Sequence, residues 1–169
     1  PALLLFLLSD CAKLNEVAVI GRNFEDEIQL AQNLVFTFNK ELVPESELGS
    51  WQSTKYVEFE PAIEGRYKWT GKNELVFSPT TSFLPATEYS AKLSDKLLHA
   101  AEDKKYGISS EKLAFHTPFL QLENTESYWT KSKANGSPVA KLKLNFNYPV
   151  STSEVANKLK INESDDKNV

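Results

Sequence analysis

The run Leu34-Val35-Phe36-Thr37-Phe38-Asn39 returns later in the chain as Leu142-Lys143-Leu144-Asn145-Phe146-Asn147. In both copies large apolar residues hold three alternate positions, and an asparagine follows the last of them. Alternation of this kind marks a strand with one buried face. Its recurrence points to a row of similar modules, each burying its own apolar side. A strand-built sandwich needs roughly 100 residues. Far fewer follow the second copy before Val169, so the expected organisation is one complete sandwich and the start of a second similar module.

The chain has 169 residues, 41% hydrophobic and 25% charged, enough for one full core and part of another. Ten Phe, six Tyr and three Trp suit half-buried pleated strands better than helices. The net charge is −4 and no basic stripe follows any predicted element, so the electrostatic footprint of a nucleic-acid binder is missing. No nucleic-acid partner is expected.

Residues 13–117 read as an all-β module with an Ig-like or fibronectin-like Greek-key β-sandwich fold, and 118–169 as a truncated second one. Strands are expected over 16–20, 34–38, 56–59, 66–69, 75–77, 88–93 and 113–117. Turn residues such as Glu60-Pro61, Thr70-Gly71-Lys72-Asn73 and Ser78-Pro79-Thr80-Thr81 separate them. In the second unit a strand is expected to begin over 119–122, Asn135-Gly136-Ser137-Pro138 to turn, and the repeated strand to run over 139–148. The stretch 94–107 is the one candidate helix: Ser94 can cap it, Leu97, Leu98 and Ala101 form an apolar face, and Gly107 can end it. A long loop with one helical turn is the other reading.

One corner is legible in more detail. Leu84-Pro85-Ala86-Thr87-Glu88-Tyr89 resembles the Leu-x-Pro-x-Thr-x-Tyr pattern of fibronectin-like domains, one residue shorter. In that pattern the tyrosine hydroxyl bonds to backbone just upstream and pins the crossing between sheets. Tyr89 is therefore a structural corner residue.

The segment Ala2-Leu3-Leu4-Leu5-Phe6-Leu7-Leu8 is too short to span a bilayer and matches the apolar part of a secretory signal. Residues 1–12 accordingly read as a signal remnant. Leu7-Leu8-Ser9-Asp10-Cys11 resembles a bacterial lipobox, with Asp10 standing where a small residue is usual. On that reading Cys11 carries a lipid that anchors the chain to a membrane, since more than one acyl chain holds a protein stably. The alternative is a buried free thiol.

No pattern points to catalysis, a cofactor or a metal, and the chain is not expected to be an enzyme. His99 and His116 have no sequence-local partner and read as structural. Glu25-Asp26-Glu27 and Glu163-Ser164-Asp165-Asp166 read as solvated acidic loops, weak calcium binding being the competing reading. Trp69 alternates with Tyr67 on an inward face. Trp51 and Trp129 lie in polar surroundings, where they could be exposed and contact a ligand or partner.

The segments 56–69, 73–79, 86–89 and Phe115-His116-Thr117-Pro118, with Val35-Phe36-Thr37-Phe38-Asn39-Lys40 and Val43-Pro44, are similar to the bacterial Ig-like modules near the N-terminus of bacterial alpha-2-macroglobulin lipoproteins. The resemblance implies a periplasmic or cell-envelope protein, lipid-anchored to the membrane, that inhibits proteases by trapping them. A bait segment is cleaved, the body collapses around the protease, and in many members a thioester captures it. No Cys-x-Glu-Gln thioester sequence and no assignable bait occur in these residues, which would supply tether and scaffold, with target proteases met by other parts of the protein. Two other roles suit the same architecture: an Ig-like glycan- or protein-binding module of an envelope lipoprotein, and an accessory β-domain of a secreted hydrolase.

Overall fold

The computed structural model describes residues 15–101 and 106–160. They divide into two compact units, meeting in sequence between Phe119 and Leu120.

The first unit is a β-sandwich. One sheet holds β2 (Val19–Arg22), β3 (Leu34–Phe38), β7 (Glu74–Pro79), β6 (Gly65–Gly71) and β4 (Trp51–Gln52), in that spatial order. The other holds β10 (Lys112–His116), β8 (Glu88–Leu93) and β5 (Val57–Glu60). Apart from the short edge strand β4, this is the immunoglobulin-like order of four strands facing three. Alternation along β3 leaves Leu34, Phe36 and Phe38 fully buried, as their spacing predicts. Aromatic side chains fill the space between the sheets. Phe59 of β5 meets Phe77 of β7 with ring centroids 4.6 Å apart, and Tyr56 packs edge-on against Trp69 at 5.5 Å. The Tyr67 hydroxyl crosses the core to donate to the Val57 carbonyl at 2.6 Å. Burial pushes that phenol far above its ordinary pKa, and the negative charges of Glu64 and Glu58 add to the effect.

The expected first strand is broken in two. β1 (Glu16–Val17) pairs in parallel with β9 (Gly107–Ile108), while β2 joins the large sheet. The break falls at Ala18, whose N–H is taken by the Asn39 side-chain oxygen at 3.0 Å rather than by a neighbouring strand. Asn39 also donates its own N–H to the Ala18 carbonyl at 3.1 Å.

The expected helix over 94–107 is reduced to α1 (Lys96–Ala100), with Leu97 buried and the chain leaving helical geometry at Ala101. Gly107 does not cap it. Its N–H bonds to the Asn15 carbonyl at 2.9 Å, and Ser109 bonds to Val17 at 3.0 Å. Strand pairing with β1 satisfies these backbone groups and overrides the local helical preference.

The second unit is a long antiparallel ribbon of β11 (Leu122–Lys131) and β12 (Pro138–Phe146), followed by α2 (Thr152–Lys158). The strand begins at Leu122 and not at Phe119. Direct pairing puts Leu122, Thr125, Ser127 and Trp129 on one face with Phe146, Leu144, Leu142 and Ala140. The opposite face carries Glu126 paired to Lys143 at 3.3 Å, with Asn124, Lys141 and Asn145. The first face is thus the more apolar, through Leu122, Trp129 and the side chains of β12, while the second is polar apart from Tyr128 and Val139. The residue just after the ribbon repeats the device seen at Asn39: Asn147 donates its N–H to the Gln121 carbonyl at 3.1 Å, and its side-chain oxygen accepts the Gln121 N–H at 2.8 Å.

Candidate functional site

A depression of about 650 Å³ lies on the outer face of the three-stranded sheet. Strand alternation turns Tyr89, Ala91 and Phe115 into the core and leaves Glu60, Glu88, Ser90, Ala114 and His116 on the solvent side. Register places Glu60 opposite Ser90 and Ser90 opposite Ala114, with Glu88 opposite His116. Two small side chains make the floor. Glu60 and Pro61 form one wall, and Asp26 and His116 the other.

The charges are distributed unevenly. Asp26 is paired with Arg22 at 3.4 Å, and Glu27 stands 3.9 Å from the His116 ring. No hydrogen bond or ion pair holds the carboxylates of Glu60 and Glu88 among the described residues. The imidazole of His116 lies 3.0 Å from the Thr117 carbonyl and stacks on Phe119 at 4.5 Å. Its Glu27 partner comes from a distant turn, which explains why no local pattern disclosed it. No group of three or more His, Cys, Asp or Glu among the described residues could hold a metal ion.

The residues singled out from sequence are scattered. Tyr89 is 4% exposed, and its hydroxyl accepts the Leu84 N–H at 2.9 Å, closing the corner. Thr117 ties the same corner by donating to the Leu84 carbonyl at 2.7 Å and accepting the Thr87 N–H at 3.0 Å. Trp69 is buried in the core. Trp51 is 43% exposed on the edge of the large sheet, beneath the Lys68 ammonium at 4.6 Å and the Arg66 guanidinium at 5.8 Å. Trp129 is 76% exposed on the apolar face of the ribbon. His99 is exposed on α1. Cys11 and the acidic run at 163–166 lie outside the described residues. No described helix is long and apolar enough to cross a membrane.

No family model matches the chain. Over 141 residues, 83% of its length, it is 23% identical to the alpha-2-macroglobulin of Pasteurella multocida (strain Pm70). The chain is thus similar in sequence to a bacterial alpha-2-macroglobulin. It spans only 7% of that curated relative's length, so the similarity to alpha-2-macroglobulin concerns a small part of a much larger molecule. Solved structures that align with the chain include an L,D-transpeptidase from Mycobacterium tuberculosis H37Rv, 12% identical with a TM-score of 0.39 over 74% of this chain and 48% of that one. Another is an L,D-transpeptidase from Mycobacterium smegmatis, 10% identical with a TM-score of 0.41 over 76% of this chain and 50% of that one.

Proposed function

We infer that this chain is the N-terminal scaffold and tether region of a bacterial alpha-2-macroglobulin-like protease inhibitor, a protease trap of the cell envelope. The observation that carries this reading is the similarity to alpha-2-macroglobulin across 83% of the chain. The aromatic core supports a spacer role, because a module that closes its own interior can be placed in a row without relying on its neighbours for stability. In this reading the region is not itself an enzyme and needs no cofactor. It holds the membrane through a lipid on Cys11 and leaves target proteases to other parts of the full-length protein. The support for the anchor is the Leu-Leu-Ser-Asp-Cys segment after an apolar run.

The test uses the full-length protein. Mass spectrometry is expected to find acyl mass on Cys11, and Cys11→Ala is expected to move the protein from the membrane to the soluble periplasmic fraction. Both forms should protect a large protein substrate from a protease equally. A free thiol at Cys11 would refute the tether, and loss of protection in Cys11→Ala would refute a scaffold-only role.

A further inference from the structure

The trough on the three-stranded sheet has an open strand edge along one side. His116 uses its N–H and carbonyl to bond outward, to Asp26 at 2.7 Å and Ile28 at 2.9 Å. Backbone groups alternate sides along a strand, so the N–H and carbonyl of Ala114, two residues earlier, face that same edge. No hydrogen bond takes them among the described residues. An unpaired edge of this kind is a template for another extended chain.

The side chains beside this edge carry a second, independent signal. Glu60 and Glu88 are diagonal neighbours across β5 and β8, near enough for like charges to disfavour each other. Neither has an ion-pair partner among the described residues; Glu88 lies opposite His116, and between Glu60 and the edge the floor is only Ser90 and Ala114. A long side chain from a strand lying beside β10 can therefore cross Ala114 without meeting bulk. The chemistry that relieves two unpaired carboxylates over such a span is a flexible organic cation. A metal ion needs converging ligands, which the described residues do not provide.

The geometry points to a binding site for an extended basic peptide, the segment of a partner protein, which adds as a strand to the β10 edge at Ala114 and lays a lysine or arginine side chain across the trough toward Glu88 and Glu60. This site is separate from the scaffold reading and stands whether or not the parent molecule traps proteases.

The experiment is an NMR titration of the 169-residue chain with the acetylated, amidated peptide Thr-Val-Lys-Val-Thr. The control is the same peptide with norleucine, which keeps the length and removes the charge. Shifts are expected to cluster on the amides of Ser90, Ala114 and His116 with the lysine peptide, and to be much weaker with norleucine. The pair Glu60→Gln and Glu88→Gln should weaken binding roughly three- to tenfold, as the loss of exposed charge pairs implies. Ala114→Pro should abolish it, since it removes an edge N–H that no native bond uses. Amide spectra of each variant show whether the fold is intact, and a variant that unfolds is replaced by Ala114→Trp, which fills the trough from an exposed position. Equal binding of the norleucine peptide, persistence in Ala114→Pro, shifts centred elsewhere, or a response to calcium chloride without one to the peptide would each overturn the proposal.

Discussion

Asn39 and Asn147 do the same work in the two units. Each closes a reciprocal pair of hydrogen bonds with the backbone of the preceding strand segment, at Ala18 and at Gln121. The asparagine that ends both copies of the repeat is thus a clasp. Asn39→Ala removes the acceptor for the Ala18 N–H and is expected to cost about 1–2 kcal/mol in urea denaturation. A loss of similar size is expected for Tyr89→Phe, which leaves the Leu84 N–H without its partner and keeps the ring in the core. Tyr67 gives a pH signature. Its phenol ionises far less readily in the folded chain than in the unfolded one, so the unfolded state loses that proton first as pH rises. The stabilisation is fully present below roughly pH 10 and is lost above it. Thermal melting is expected to fall steeply across that range, and less steeply in Tyr67→Phe.

Among the elements, the hairpin of β6 and β7 depends on a close approach. Gly65 sits where a Cβ would collide with the Phe77 ring and come within 2.6 Å of the Ser78 carbonyl. Gly65→Ala therefore forces the ring or the strand aside. Overpacking of this sort costs about 1–3 kcal/mol, measurable as a lower denaturant midpoint with an unchanged slope. The elements that sequence resolved well are those with a strict period. β3 and β8 coincide with the expected 34–38 and 88–93, because alternation and flanking turns agree there. The stretch 94–107 takes the second of its two readings, a loop with one helical turn, and the strand expected over 16–20 is broken, for one shared reason. Residues near 16 and 107 pair with each other across the whole module, and no local window contains both partners.

For the whole molecule, every buried hydrophobic residue among those described precedes residue 120, so the core belongs to the first unit. A fragment of residues 1–119 is expected to unfold cooperatively in calorimetry. A fragment of residues 120–169 is expected to show no such transition by itself, because a two-stranded ribbon with an uncovered apolar face is marginal in water. Leu142, the counterpart of the fully buried Leu34, is 42% exposed there. Cooperative melting of the shorter fragment would show that its ribbon and α2 suffice for a core.

Alternation, turn residues and the repeated strand determined the all-β class, the corner at Tyr89 and the inward set of aromatics, since each is set by neighbours a few positions away. Which sheet each strand joins, the Asn clasp and the trough on the outer face were decided only in three dimensions. Glu60, Glu88, Ser90 and Ala114 come from three strands, and nothing in their spacing says they share a face. Their meeting is a product of register, which long-range pairing sets once the core has closed.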